Sequence, residues 1–168
     1  RTRLIQNTPE ATHLHDDHCS MFPLMRMPHK VEVITTPEIF NMAMDKLACS
    51  LGWDKTVIAE HFTLLAVNPG ESLNYYGLNI EVHHTVHSVP TIGATFSTQH
   101  KGLIRDLCVI GDNQSMTRSR QLAASGIVRQ STIDRLENLY RQRFNLLIAD
   151  GGAGDIHGDP NDALESNS

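Results

Sequence analysis

"THLHDDH", residues 12 to 18, places three histidines and two aspartates within the six positions His13 to His18. Imidazole and carboxylate are the ligands that divalent zinc, iron and manganese accept. Residues at i and i+2 of an extended segment point the same way. His13 and His15 can therefore grip one ion from a loop or strand end. Asp17 and His18 lie one step further on and can grip a second ion beside the first. A lone histidine would read as part of a solvated polar loop; this density reads as a metal site.

Two ligands per ion are too few, so the rest of the chain has to supply more. "HHTVHSVPTIGA", residues 83 to 94, offers His83, His84 and His87. His83 and His84 sit inside a strand pattern and point to opposite faces, so at least one of them is expected to be simply exposed. His87 comes where that strand gives way to a loop-like stretch. Asp112, in "CVIGDN", ends an apolar strand beside Gly111, where a carboxylate can bridge two ions. His157, in "GAGDIHGD", follows the strand "FNLLIAD", expected to be buried, through a glycine-rich loop, with Asp150 and Asp155 as neighbouring oxygen ligands. Strand ends are where open α/β sheets place their ligands.

The elements around these positions alternate. "KVEVITT" (30 to 36) and "HFTLLAV" (61 to 67) read as strands. Between them "TPEIFNMAMDKLACSLG" predicts a helix with Thr36 as N-cap, Pro37 at the first helical position and Gly52 as the stop. "NPGE" reads as a turn, "LNIEVHHTVH" and "TIGATFST" as strands, "HKG" as a reversal and "RDLCVIGD" as a strand. Helices are expected over roughly 115 to 124 and over "STIDRLENLYRQR", with Ser131 as the N-cap of the latter. "CSMFPLMRM" is a short apolar helix candidate. The class is α/β with some hairpins.

A chain of 168 residues can bury one real core. The net charge of −5 and isoelectric point of about 6.0 argue against a general nucleic-acid binder, which needs a basic face. "RSR" at 118 to 120 and "RQR" at 141 to 143 read as solvated helix faces. Cys19, Cys49 and Cys108 are odd in number and widely spaced, which disfavours a disulfide framework and fits a reducing compartment. Cys49 and Cys108 read as small core residues. With no signal-peptide pattern and no run of about 20 apolar residues, a cytoplasmic protein without a membrane partner is expected.

The order Thr-His-x-His-x-Asp-His, a later histidine, an aspartate after glycine and a last histidine resembles the metallo-β-lactamase superfamily. "HSVPTIGATF" (87 to 96) further resembles the His-x-x-Pro-Ser-x-Gly-Tyr segment of its ribonuclease Z-like, phosphodiesterase branch. The resemblance spans Thr12 to His157. It implies an α/β, metallo-β-lactamase-like αββα sandwich. It also implies one ion on His13, His15 and His87, a second on Asp17, His18 and His157, and Asp112 bridging, with Asp17 and Asp112 acting in catalysis. The implied activity is that of a metal-dependent hydrolase, a phosphodiesterase in which two divalent ions, zinc or else iron or manganese, share a hydroxide. The acidic isoelectric point favours a small or nucleotide-like phosphodiester over structured RNA. The alternative is a diiron oxygen or nitric oxide reductase or sensor of the same superfamily, although at the third motif position, where those proteins typically carry Glu, this chain has His15.

Two departures bear on completeness. Only eleven residues precede Thr12, and "IQNTPEAT" is a poor strand, so residues 1–168 are expected to form a single metal-binding domain lacking the N-terminal strands of the full fold. An upstream segment or a second chain, as in a homo-oligomer, would complete the sheet. "GDN" also stands where the ribonuclease branch often has "GDT".

Overall fold

The computed structural model describes residues 21 to 149. They divide into two compact units, one running up to Asn68 and the other starting at Pro69.

In the first unit a 3-10 turn, Phe22–Arg26, precedes strand β1, Val31–Thr35. Helix α1, Pro37–Leu51, and the short helix α2, Lys55–Ala59, then carry the chain over to strand β2, Phe62–Ala66. The two strands pair in parallel, Val31 opposite Phe62 and Thr35 opposite Ala66. Parallel neighbours need a crossover of this kind because a tight turn cannot reverse direction twice. α1 begins and ends where local chemistry dictates. The Ile39 N–H donates to Thr36 Oγ1 at 3.2 Å, and Gly52 closes the helix in the left-handed conformation at φ 64°. Val31, Val33, Ile39, Ala43, Met44, Ile58 and Phe62 are buried. α2 has no apolar periodicity to announce it; Asp54 caps it by accepting from the Thr56 N–H at 2.8 Å. Cys49 is exposed, contrary to its reading as a core residue. α1 turns Ile39, Ala43 and Met44 inward, and Cys49 falls off that stripe.

Among the described residues, the second unit is a five-stranded sheet with two helices. Strands β3, Ser72–Tyr75; β4, Leu78–His84; β5, Ile92–His100; β6, Leu103–Val109; and β7, Leu146–Ile148 lie in that spatial order. The first four are antiparallel neighbours, and β7 runs parallel to β6. The tight β3–β4 and β5–β6 loops each contain two residues with positive φ: Tyr76 and Gly77 at 50° and 83°, Lys101 and Gly102 at 50° and 78°. That pairing matches the right-handed twist of the strands.

Helices α3, Met116–Ala124, and α4, Gln130–Tyr140, connect β6 to β7. Ile133, Leu136, Leu139 and Tyr140 form the inward stripe of α4 and pack with Cys108, Ile110, Val86 and Met116. Two expectations fail here. α4 starts at Gln130 with Arg129 as its cap residue, so Ser131 lies inside the helix rather than capping it. Among the described residues β7 lies at the sheet edge, with Leu146 and Ile148 55% and 49% exposed, while Leu147 packs against the helical core.

Candidate metal centre

Beyond its last paired residue, β4 continues through Thr85 and Val86 to His87. β6 continues through Ile110 and Gly111 to Asp112. β5 separates the two strands, so their ladders do not connect. The two extensions are stapled to each other past its end. Thr85 Oγ1 donates to the Asp112 carbonyl at 3.0 Å. The Val86 N–H donates to Asn113 Oδ1 at 2.8 Å. The Gln114 N–H donates to the Val86 carbonyl at 2.7 Å.

Gly93 clears the approach. A Cβ at that position would stand 2.6 Å from the Val109 carbonyl oxygen and 2.7 Å from that of Ile110. Only a residue without a side chain lets the end of β6 run so close to β5. Gly111 then turns the backbone at φ 67° into Asp112.

The outcome is a buried pair. His87 Nε2 lies 3.6 Å from Asp112 Oδ2, with side chains 3% and 9% exposed. That separation exceeds a direct hydrogen bond. It does fit two ligands of one ion: atoms each about 2.0–2.2 Å from a tetrahedral metal stand roughly 3.3–3.6 Å apart. An imidazole nitrogen and a carboxylate oxygen are also the donor types that zinc, manganese and iron accept. Among the described residues no third His, Cys, Asp or Glu joins this pair. Of the sequence-derived ligands, His87 and Asp112 are brought together, while His13, His15, Asp17, His18 and His157 lie outside the described residues.

His83 is engaged elsewhere. Its Nε2 is 2.8 Å from Thr95 Oγ1 on β5, and its Nδ1 is 3.9 Å from Glu81 Oε1. Burial lowers its pKa below the ordinary histidine value, and the Glu81 charge pulls only partly the other way. His84 is exposed. Both border a cavity of about 320 Å³ between β4 and α4, with Glu81, Thr132, Arg135 and Gln142 also on its walls. The sequence reading missed Asn113, whose side chain is among the most buried polar groups at 1% exposure. Its signal was present as the unusual Asn of "GDN", but nothing local says that it faces inward.

No family model matches the chain. A solved structure of a metallo-β-lactamase fold protein, YhfI from Bacillus subtilis, superposes with a TM-score of 0.52 at 15% identity, covering 85% of this chain and 48% of that one. The chain has the metallo-β-lactamase fold. A diphosphatase from the PhnP family superposes on this fold with a TM-score of 0.54 at 12% identity, over 95% of this chain and 54% of its own. For an isothiocyanate hydrolase from Delia radicum gut bacteria the TM-score is 0.57 at 13% identity, with coverages of 95% and 57%. In sequence, the chain is 25% identical over 147 residues to cAMP/cGMP-dependent 3',5'-cAMP/cGMP phosphodiesterase B of Dictyostelium discoideum. That match covers 87% of this chain and 13% of the relative. The chain thus spans about half the length of these solved metallo-β-lactamase fold proteins. No helix among the described residues is long and apolar enough to cross a membrane.

Proposed function

We propose that the protein is a metal-dependent hydrolase, a phosphodiesterase acting on a small or nucleotide-like phosphodiester. The observation that carries this reading is the buried pair of His87 Nε2 and Asp112 Oδ2 at 3.6 Å, a spacing suited to a shared ion. The likeness to a cyclic-nucleotide phosphodiesterase over 87% of the chain supports the substrate class. His13, His15 and His87 would hold one ion, Asp17, His18 and His157 the second, with Asp112 between them and Asp17 and Asp112 as the catalytic carboxylates. Zinc suits this histidine-rich donor set best, with iron or manganese next.

Bound divalent ions would supply Lewis acidity and a more acidic water. The chain's own contribution is to hold the donors in place and keep the site dry. His87 would present an imidazole nitrogen and Asp112 a carboxyl oxygen, both side chains largely shielded from bulk solvent, where charge interactions are strong. The bond from Thr85 to the Asp112 backbone and those between Val86 and residues 113 and 114 keep the two donors in register. The buried Cys108 and the widely spaced cysteines suit a reducing, cytoplasmic setting.

The test is elemental analysis of the purified protein together with hydrolysis of bis(p-nitrophenyl) phosphate and of 3',5'-cyclic nucleotides. Bound zinc with metal-dependent phosphodiester cleavage is expected. Bound iron with a visible absorption band and no hydrolysis would overturn the reading.

A further inference from the structure

We propose that Asn113 is a positioning residue that sets the spacing of the two metal-ligand loops; this rests on reading His87 and Asp112 as ligands. Asn113 follows Asp112 directly in the chain, and its side chain reaches across to the residue that precedes His87. Its Oδ1 accepts from the Val86 N–H at 2.8 Å. Its Nδ2 donates to the Gln114 carbonyl at 2.8 Å and lies 3.5 Å from the Tyr140 hydroxyl. One amide group thereby uses its acceptor on the His87 loop and its two donors on its own loop and on α4.

The Val86 peptide groups are gripped from both sides, because the Val86 carbonyl accepts from the Gln114 N–H at 2.7 Å. β5 lies between β4 and β6, so no ladder bond can set the distance between the ends of those two strands. Asn113 acts where the ladder cannot. At 1% exposure its side chain is fixed by its surroundings, which is what holding a ligand spacing requires.

A purely structural role would make Asn113 just another buried amide, whose loss lowers stability and leaves metal affinity alone. The experiment separates these on the full chain, with zinc affinity read by competition against a chromophoric chelator and folding read by circular dichroism. Asn113→Ala is expected to weaken zinc binding about 10–100-fold, the usual cost of losing a group that orients ligands. Tyr140→Phe removes a neighbouring contact of the same amide but spares the link to Val86, so its zinc affinity should stay within about threefold of wild type. Asn113→Ser is too short to reach the Val86 N–H but leaves a small polar group in place, and is expected to weaken zinc binding as Asn113→Ala does. A folded Asn113→Ala with affinity within about threefold of wild type overturns the proposal, as does a Tyr140→Phe weakened equally. If Asn113→Ala does not fold, Asn113→Ser decides: a folded protein weakened about tenfold or more supports the proposal, and affinity within about threefold of wild type overturns it. A wild-type chain that binds no zinc overturns the metal-centre reading itself and the proposal with it.

Discussion

His87 Nε2 and Asp112 Oδ2 face each other at 3.6 Å with both side chains nearly buried. The two residues are brought together by hydrogen bonds between groups 27 positions apart, Thr85 to the Asp112 carbonyl and Val86 to Asn113. The separation exceeds a direct hydrogen bond, and an imidazole nitrogen and a carboxylate oxygen are donor types that divalent cations accept.

Replacing Asp112 by alanine should abolish phosphodiester hydrolysis while the fold survives. The loss should exceed the roughly 10–100-fold typical of groups that merely orient ligands. Asp112 follows β6 and is not part of the apolar cluster around Cys108, so the core loses little. Parallel measurement of turnover and of the circular dichroism spectrum checks this; near wild-type turnover would remove Asp112 from the site.

Gly93→Ala should be costly. Its new Cβ would meet two backbone carbonyl oxygens, at 2.6 and 2.7 Å, and neither can rotate away as a side-chain end could. Overpacking of this kind costs about 1–3 kcal/mol and sometimes more. Urea unfolding should show that loss, and zinc affinity should fall as well because β6 leads into Asp112. An unchanged unfolding midpoint would mean that the close approach is not maintained in solution.

Stability should depend on pH through His83. Burial depresses its folded-state pKa below the ordinary histidine value of 6.5, so the unfolded chain takes up the proton more readily than the folded one. The neutral-histidine contribution is therefore complete above that value and is lost as pH falls below it toward the folded pKa. Metal-free wild type should lose more stability between about pH 7.5 and 5.5 than metal-free His83→Gln does. Equal losses in urea titrations of the two proteins would show that His83 carries no such linkage.

Thr36→Ala tests the start of α1. The threonine hydroxyl accepts from the Ile39 N–H at 3.2 Å, and losing an N-cap of this type costs about 1 kcal/mol. Thermal unfolding should show a lower midpoint, partly restored by Thr36→Ser. A midpoint equal to wild type would mean that Pro37 and packing alone set the helix start.

Features written in local chemistry were legible in the sequence by itself. Thr36, Pro37 and Gly52 marked both ends of α1, since a cap, a fixed φ and a left-handed stop act within a few residues. The strand patterns "KVEVITT", "HFTLLAV" and "LNIEVHHTVH" located β1, β2 and β4, the last ending at His84 rather than His87, and the Lys101-Gly102 reversal was visible as "HKG". β3 was not, because Ser72–Tyr75 is short and its turn places Tyr76, a residue with no turn preference, at positive φ. The exposure of Leu146 and Ile148, the exposure of Cys49 and the pairing of His83 with Thr95 depended on which surfaces meet in space. The candidate site divides in the same way. Residue type and order nominated His87 and Asp112, because only certain side chains bind cations. Their 3.6 Å spacing and the hydrogen bond from Val86 to Asn113 were decided by tertiary structure, because they depend on strand ends separated in sequence and joined only after β4, β5 and β6 have paired.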